Sequence, residues 1–132
     1  MVEAVATRRV VSRATMCHMD VVDWLLAGDP AIRWQAKRDL VLASDEEVAA
    51  ERTRVEHEGW GVQLLQHQDD NGLWAGGACF PADYTRDEPG QPWTATMHTM
   101  QTLQILGLDP GSAAARRTAV LVAENGRWEH DG

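Results

Sequence analysis

The sequence is poor in several residue types and patterns, and each shortage argues against a class of protein. Among its 132 residues are one Tyr, one Phe and two Cys. No apolar run approaches the about 20 residues that a membrane-spanning helix needs. Lys and Arg number 12 against 20 Asp and Glu, so the net charge is −8. Because nucleic acids and anionic membrane surfaces attract clustered basic side chains, neither is an expected partner.

The two cysteines and the N-terminus indicate the compartment. Neither Cys17 nor Cys79 belongs to a C-x-x-C pair, which favours free thiols in a reducing environment. Basic residues occur near the N-terminus, but no apolar segment follows them, so no secretory signal is predicted. We therefore expect a cytoplasmic protein.

Tryptophan, in contrast, is plentiful, and two of the six Trp residues belong to a repeated element. Asn71-Gly72-Leu73-Trp74 recurs 54 residues later as Asn125-Gly126-Arg127-Trp128. Each copy follows a segment with helical periodicity, and a helix-turn element that recurs at a fixed offset is typical of repeat architectures. We predict that Trp74 and Trp128 are buried at equivalent positions of successive helix hairpins.

Caps and apolar periodicity predict an all-α fold. Asp29-Pro30 and Asp109-Pro110 each place an N-cap before a proline, and Ser44 with Glu47 forms a capping box. No sustained period-two alternation predicts a strand. The first fifteen residues, 1–15, lack periodicity and are expected to be a disordered tail or an over-extended start, whereas residues 16–132 form the domain. Helices are predicted over residues 21–27, with Asp20 as N-cap, and over residues 30–43, 45–58, 60–68, 93–106 and 111–123.

The segment Gln68 to Trp74 has the form Q-x-x-x-G-x-W and resembles the QW repeat of squalene–hopene and oxidosqualene cyclases. A degraded form of this repeat occurs in protein prenyltransferase β subunits. The second copy keeps only Gly126 and Trp128, because Val122 stands where the pattern has Gln. Residues 24–34, 92–96 and 106–110 also resemble bacterial squalene-cyclase-like and prenyltransferase-repeat proteins.

This resemblance implies helix hairpins of an α/α toroid, in which Gln and Trp tie the end of one helix to the start of the next. Gln68, Gly72, Trp74, Gly126 and Trp128 would be its structural repeat residues. Because most such proteins are more than twice this length, we expect an incomplete toroid, the N-terminal fragment of a ring.

The acidic motifs and the zinc site of these enzymes are not found in the sequence. Gln68-Asp69-Asp70 lacks the first acid of D-x-D-D, and Asp69 to Leu73 fails the last position of D-D-x-x-D. Cys79 and His98, with Asp83 and Asp87 between them, show no spacing that predicts convergence on a metal. We therefore assign no catalytic residue, no metal site and no cofactor.

Two features leave alternatives open. The glycine- and proline-rich stretch 69–92 is either a functional loop or a tolerated surface insertion. Four polar residues on helix 93–106 share one face: Thr94, His98, Gln101 and Thr102. They would line the cavity of a toroid, although such a stripe is more commonly the solvated face of an amphipathic helix.

The resemblance implies a function for longer relatives, which would bind an isoprenoid or another apolar ligand in a central cavity. This chain alone is expected to be inactive. The alternative is a non-enzymatic helical-repeat module that binds a partner. An open ring also leaves its last apolar face uncovered, so we expect self-association through that edge.

Overall fold

Six α-helices follow one another in the computed structural model, which describes residues 21–85 and 92–127. They are joined by a π-helical turn at Lys37–Val41 and by 3-10 turns at Arg54–Glu56 and Pro92–Thr94. The described residues contain no strand, only a single bridge between Trp74 and Gly77. The predicted all-α class is therefore confirmed. The helices are α1 (residues 21–26), α2 (Pro30–Ala36), α3 (Asp45–Thr53), α4 (Gly59–Gln66), α5 (Thr96–Leu106) and α6 (Ala113–Asn125).

Two predictions concern residues outside this part of the chain. The expected tail, 1–15, precedes the described residues, and Trp128 follows them.

No helix among the described residues is long and apolar enough to cross a membrane.

Local capping explains where α2 and α3 begin. The Asp29 carboxylate accepts a hydrogen bond from the Ala31 N–H at 2.8 Å, with Pro30 at the first helical position. Ser44 and Glu47 bond reciprocally and complete the predicted capping box. These contacts satisfy backbone N–H groups that the first turn of a helix leaves without partners.

The predicted N-cap of the last helix, Asp109, is wrong, and α6 begins two residues after the predicted start at Gly111. Asp109 Oδ1 accepts from the Gly111 N–H at 2.8 Å, which forms a local turn instead of a helix cap. The cap of α6 is Ser112, whose hydroxyl accepts from the Ala115 N–H at 3.1 Å. An aspartate can bond its own backbone two residues ahead equally well in a turn, and here the turn is formed.

Helices that are close along the chain pack against one another. α2 lies against α3 and α4, and α4 lies against α5. Asp29 also joins two helix starts, because its second oxygen accepts from the Trp60 N–H of α4 at 2.7 Å. The buried apolar core is small and mixes helix and turn residues: Ala31, Ala36, Val55, Leu73, Trp74, Ala95 and Leu103.

A buried carboxylate links α2 to α3. Glu51 is 6% exposed and pairs with Arg33 Nε and, at 3.0 Å, with Lys37 Nζ. Arg33 Nη1 also donates to the Gly28 carbonyl at 2.9 Å. Burial alone would raise the pKa of Glu51, but the hydrogen bonds from Arg33 and Lys37 outweigh it and lower that pKa below its ordinary value. The hydrogen bond that Arg33 donates to Glu51 also raises the pKa of Arg33.

Candidate functional site

The Q-x-x-x-G-x-W segment forms a turn that holds the end of α4. Trp74 is 2% exposed, and its indole Nε1 donates to the Leu64 carbonyl of α4 at 2.7 Å. This carbonyl lies in the last turn, where intrahelical partners run out. The prediction that Trp74 is buried is confirmed.

Gln68 bonds a helix that is more distant along the chain than the resemblance to the QW repeat implies. Its Nε2 donates to the Gly72 carbonyl at 3.0 Å and to the Thr118 hydroxyl of α6 at 2.9 Å. The tryptophan thus bonds the helix end, and the glutamine fixes the turn to a helix 50 residues further along the chain.

The two Asn-Gly copies meet in space. Asn125 Nδ2 donates to the Asn71 carbonyl at 3.0 Å, and Gly72 lies directly against Leu121 of α6. Their backbones differ, however, since φ is +86° at Gly72 and −63° at Gly126. Gly72 needs the left-handed conformation that glycine adopts freely, and Gly126 does not.

A second tryptophan, Trp34, also bonds the end of a helix, and the sequence did not predict this contact. Trp34 Nε1 donates to the Leu106 carbonyl at the end of α5, at 2.8 Å. The following residue, Gly107, has φ +98° and has no room for a side chain beside that indole. In the sequence, Gly107 indicates that a helix ends after Leu106. No local pattern identifies Trp34, 72 residues away, as the residue that bonds this helix end.

The first part of the 69–92 stretch folds onto the start of α5. The Thr96 hydroxyl accepts from the Trp74 N–H at 2.9 Å and donates to the Gly77 carbonyl at 2.6 Å. The Met97 N–H donates to the Ala78 carbonyl at 2.9 Å. The Thr96 N–H also donates to the Gly77 carbonyl, at 3.1 Å. The bonds from the Thr96 and Met97 N–H groups satisfy the first turn of α5, which has no side-chain cap of its own. Residues 74–78 are therefore bonded to the start of α5, and Ala78 and Cys79 line one side of a groove.

That groove lies between α5, the Ala78–Cys79 segment and α6, and its volume is about 690 Å³. Most of its wall is apolar, with polar groups from two threonines, two glutamines and one arginine. The apolar lining residues are Ala78, Met97, Met100, Leu103, Leu108, Pro110, Ala115 and Val122, with the Cys79 thiol beside them.

The four residues of the predicted polar stripe do not act together. Gln101 borders the groove, whereas Thr94 and Thr102 are exposed and lie away from it. The His98 ring contacts the edge of Trp93, with 5.2 Å between ring centroids. The cavity of a closed ring, to which these residues were assigned, stays a prediction.

The residues considered as zinc ligands are placed separately. Cys79 lies on the groove wall, while His98 lies against Trp93. Asp83 is exposed, and Asp87 lies outside the described residues. Within residues 21–85 and 92–127, no group of three or more His, Cys, Asp or Glu side chains is arranged to hold a metal ion.

Comparison with known proteins adds no family to this description. No protein-family model matches the chain, and neither a curated protein nor a solved structure matches it.

Proposed function

We propose that this chain is a helical-hairpin module of α/α-toroid type that binds an apolar, isoprenoid-like small molecule in the groove between α5 and α6. The observation that carries the proposal is the groove itself. Its volume of about 690 Å³ is within the range of small-molecule sites, which are concave and mainly apolar with a few polar groups.

The composition of the groove suits a flexible hydrocarbon. Met97 and Met100 contribute unbranched, polarisable side chains that adapt to irregular ligands. Thr96 is already bonded to the 74–77 turn, and Thr118 to Gln68, so both walls are held rigidly. Since the sequence contains neither acidic motif of the terpene cyclases, we propose binding without turnover.

Filling the groove tests this proposal. Farnesol is the probe, and isothermal titration calorimetry measures its affinity. Ala115→Phe adds a ring to a lining position of α6, whereas Ala113→Phe adds the same ring at an exposed position outside the groove. We expect the first change to weaken binding at least about tenfold, because lost burial of two CH₂ groups already accounts for that factor.

The matched control separates groove blocking from a general effect on α6. Ala113→Phe is expected to bind farnesol as the unchanged protein does. Absence of any farnesol binding to the unchanged protein, or equal affinity in Ala115→Phe, would refute the proposal.

A second candidate, a module that pairs with another protein surface, is favoured by exposed apolar side chains. Ile105 of α5 is 72% exposed and Val120 of α6 is 56% exposed. Because apolar patches of a few hundred Å² drive association, we propose that two copies pair through these helices. Sedimentation velocity at micromolar concentration is expected to show a dimer that Ile105→Lys converts to a monomer. A monomer at all concentrations would exclude this pairing.

A further inference from the structure

Arg52 is the one charged residue among those lining the groove in the described part of the chain. Its Nε donates to the Gly107 carbonyl, just beyond the end of α5, at 2.7 Å. Its guanidinium carbon lies 5.6 Å from the centre of the Trp34 ring. Two contacts therefore hold the side chain in place, on a wall that is otherwise mainly apolar.

The charge of Arg52 has no carboxylate partner among the described residues. Arg33, Lys37, Arg38 and Arg54 each form an ion pair with an acidic side chain. The other described arginines without an ion pair, Arg116, Arg117 and Arg127, are exposed, whereas Arg52 is half-buried. A chain with net charge −8 has acids in excess, so the unpaired state of Arg52 is not caused by a shortage of partners. A half-buried guanidinium has five N–H donors, and the Gly107 bond uses only one of them.

Arg52 also borders a second, smaller cleft of about 310 Å³. Asp45, Asp109 and Arg38 line that cleft, yet neither aspartate forms an ion pair with Arg52. Arg52 thus borders both the apolar groove and a second cleft that contains charged residues. An amphiphile has matching chemistry, because its tail and its head require different surroundings.

We infer that the groove takes a long-chain amphiphile with a carboxylate head, whose aliphatic tail lies along α5 while the head bonds the Arg52 guanidinium. This inference rests on the proposed small-molecule function and names the ligand class. A guanidinium binds a carboxylate through two parallel N–H bonds. Since the Arg52 Nε donates to the Gly107 carbonyl, the two Nη groups would supply them.

The test compares two ligands that differ only in the head group, decanoate and decanol. Calorimetric affinities are measured for the unchanged protein, Arg52→Gln and Arg117→Gln. Arg117 is exposed on α6 and does not line the groove, so its change alters the net charge equally without altering the site. We expect decanoate to bind about tenfold more tightly than decanol, and Arg52→Gln to remove this difference while decanol affinity is retained.

Each outcome bears on one proposal. Equal affinities for both ligands, or a decanoate preference that survives in Arg52→Gln, would overturn the inference and leave the apolar site intact. Failure of both ligands and of farnesol to bind would overturn the proposed function itself. If Arg52→Gln does not fold, the salt dependence of the unchanged protein tests the inference instead. Decanoate affinity must fall with added NaCl, because salt screens the ion pair, and decanol affinity must not fall.

Discussion

Replacing Glu51 with Gln is expected to lower the free energy of unfolding by about 3 kcal/mol, because two half-buried cations, Arg33 and Lys37, lose the charged hydrogen-bond partner that they share. Glu51 is 6% exposed and receives bonds from Arg33 and Lys37. The measurement is urea unfolding followed by circular dichroism. Glu46→Gln, at an exposed position of the same helix, is the control and is expected to change stability by less than about 0.5 kcal/mol.

The same pair of proteins gives a pH dependence with a definite sign. The folded-state pKa of Glu51 is lowered, so its carboxylate stabilises the fold above the unfolded pKa of about 4.3. This stabilisation is lost as the pH falls through the lower folded value. The stability difference between the unchanged protein and Glu51→Gln should therefore shrink in acid. A difference that stays constant from pH 7 to pH 3 would show that the ionised pair is not its source.

Gly72→Ala is expected to have the second large effect, a loss of about 3 kcal/mol concentrated at the contact with α6. Two costs combine, because φ is +86° at Gly72 and a methyl group there would overlap with the Leu121 side chain. A left-handed alanine costs about 1–2 kcal/mol, and an overpacked contact costs about 1–3 kcal/mol more. Thermal unfolding gives the size, and hydrogen exchange of α6 amides gives the location.

Gly76→Ala is the matched control for the backbone cost. Gly76 also has a positive φ, +70°, but it is exposed. A methyl group there would overlap less, because its one close contact is the Ala82 Cβ at 2.9 Å, against 2.2 Å for the Leu121 Cβ at Gly72. We expect about half the destabilisation and no specific loosening of α6. Equal effects of the two substitutions would mean that the packing of Gly72 on Leu121 contributes little.

Predictions from the sequence succeeded where the interaction partners are close along the chain. The Asp29 cap and the Ser44–Glu47 capping box bond residues two or three positions away, so composition and spacing identify them. The misplaced start of α6 has the same origin, because Asp109 makes an equally local bond in a turn. Trp74 was recognised as buried because a repeated turn with a bulky apolar residue must cover a helix end.

The groove and its arginine could not be predicted in this way. Arg52 bonds Gly107 across 55 residues, and Gln68 bonds Thr118 across 50 residues. Periodicity shows which face of a helix is apolar, but not which other helix lies opposite or how far away. Of the four polar residues assigned to one stripe, Gln101 borders the groove and the other three do not, since the position of α6 decides which part of α5 is enclosed.

The sequence by itself determined the helical class, the starts of α2 and α3, the tight turn at Gly72 and the net charge of −8. These depend on local hydrogen bonds, glycine conformations and net charge, all of which are properties of short segments or of composition. Only the tertiary structure decided that the indoles of Trp34 and Trp74 bond carbonyl groups at the ends of α5 and α4. It also decided that Glu51 is buried between two cations and that Arg52 borders an apolar groove. Such contacts join residues far apart along the chain, and their partners are chosen by how the helices pack, which no local pattern encodes.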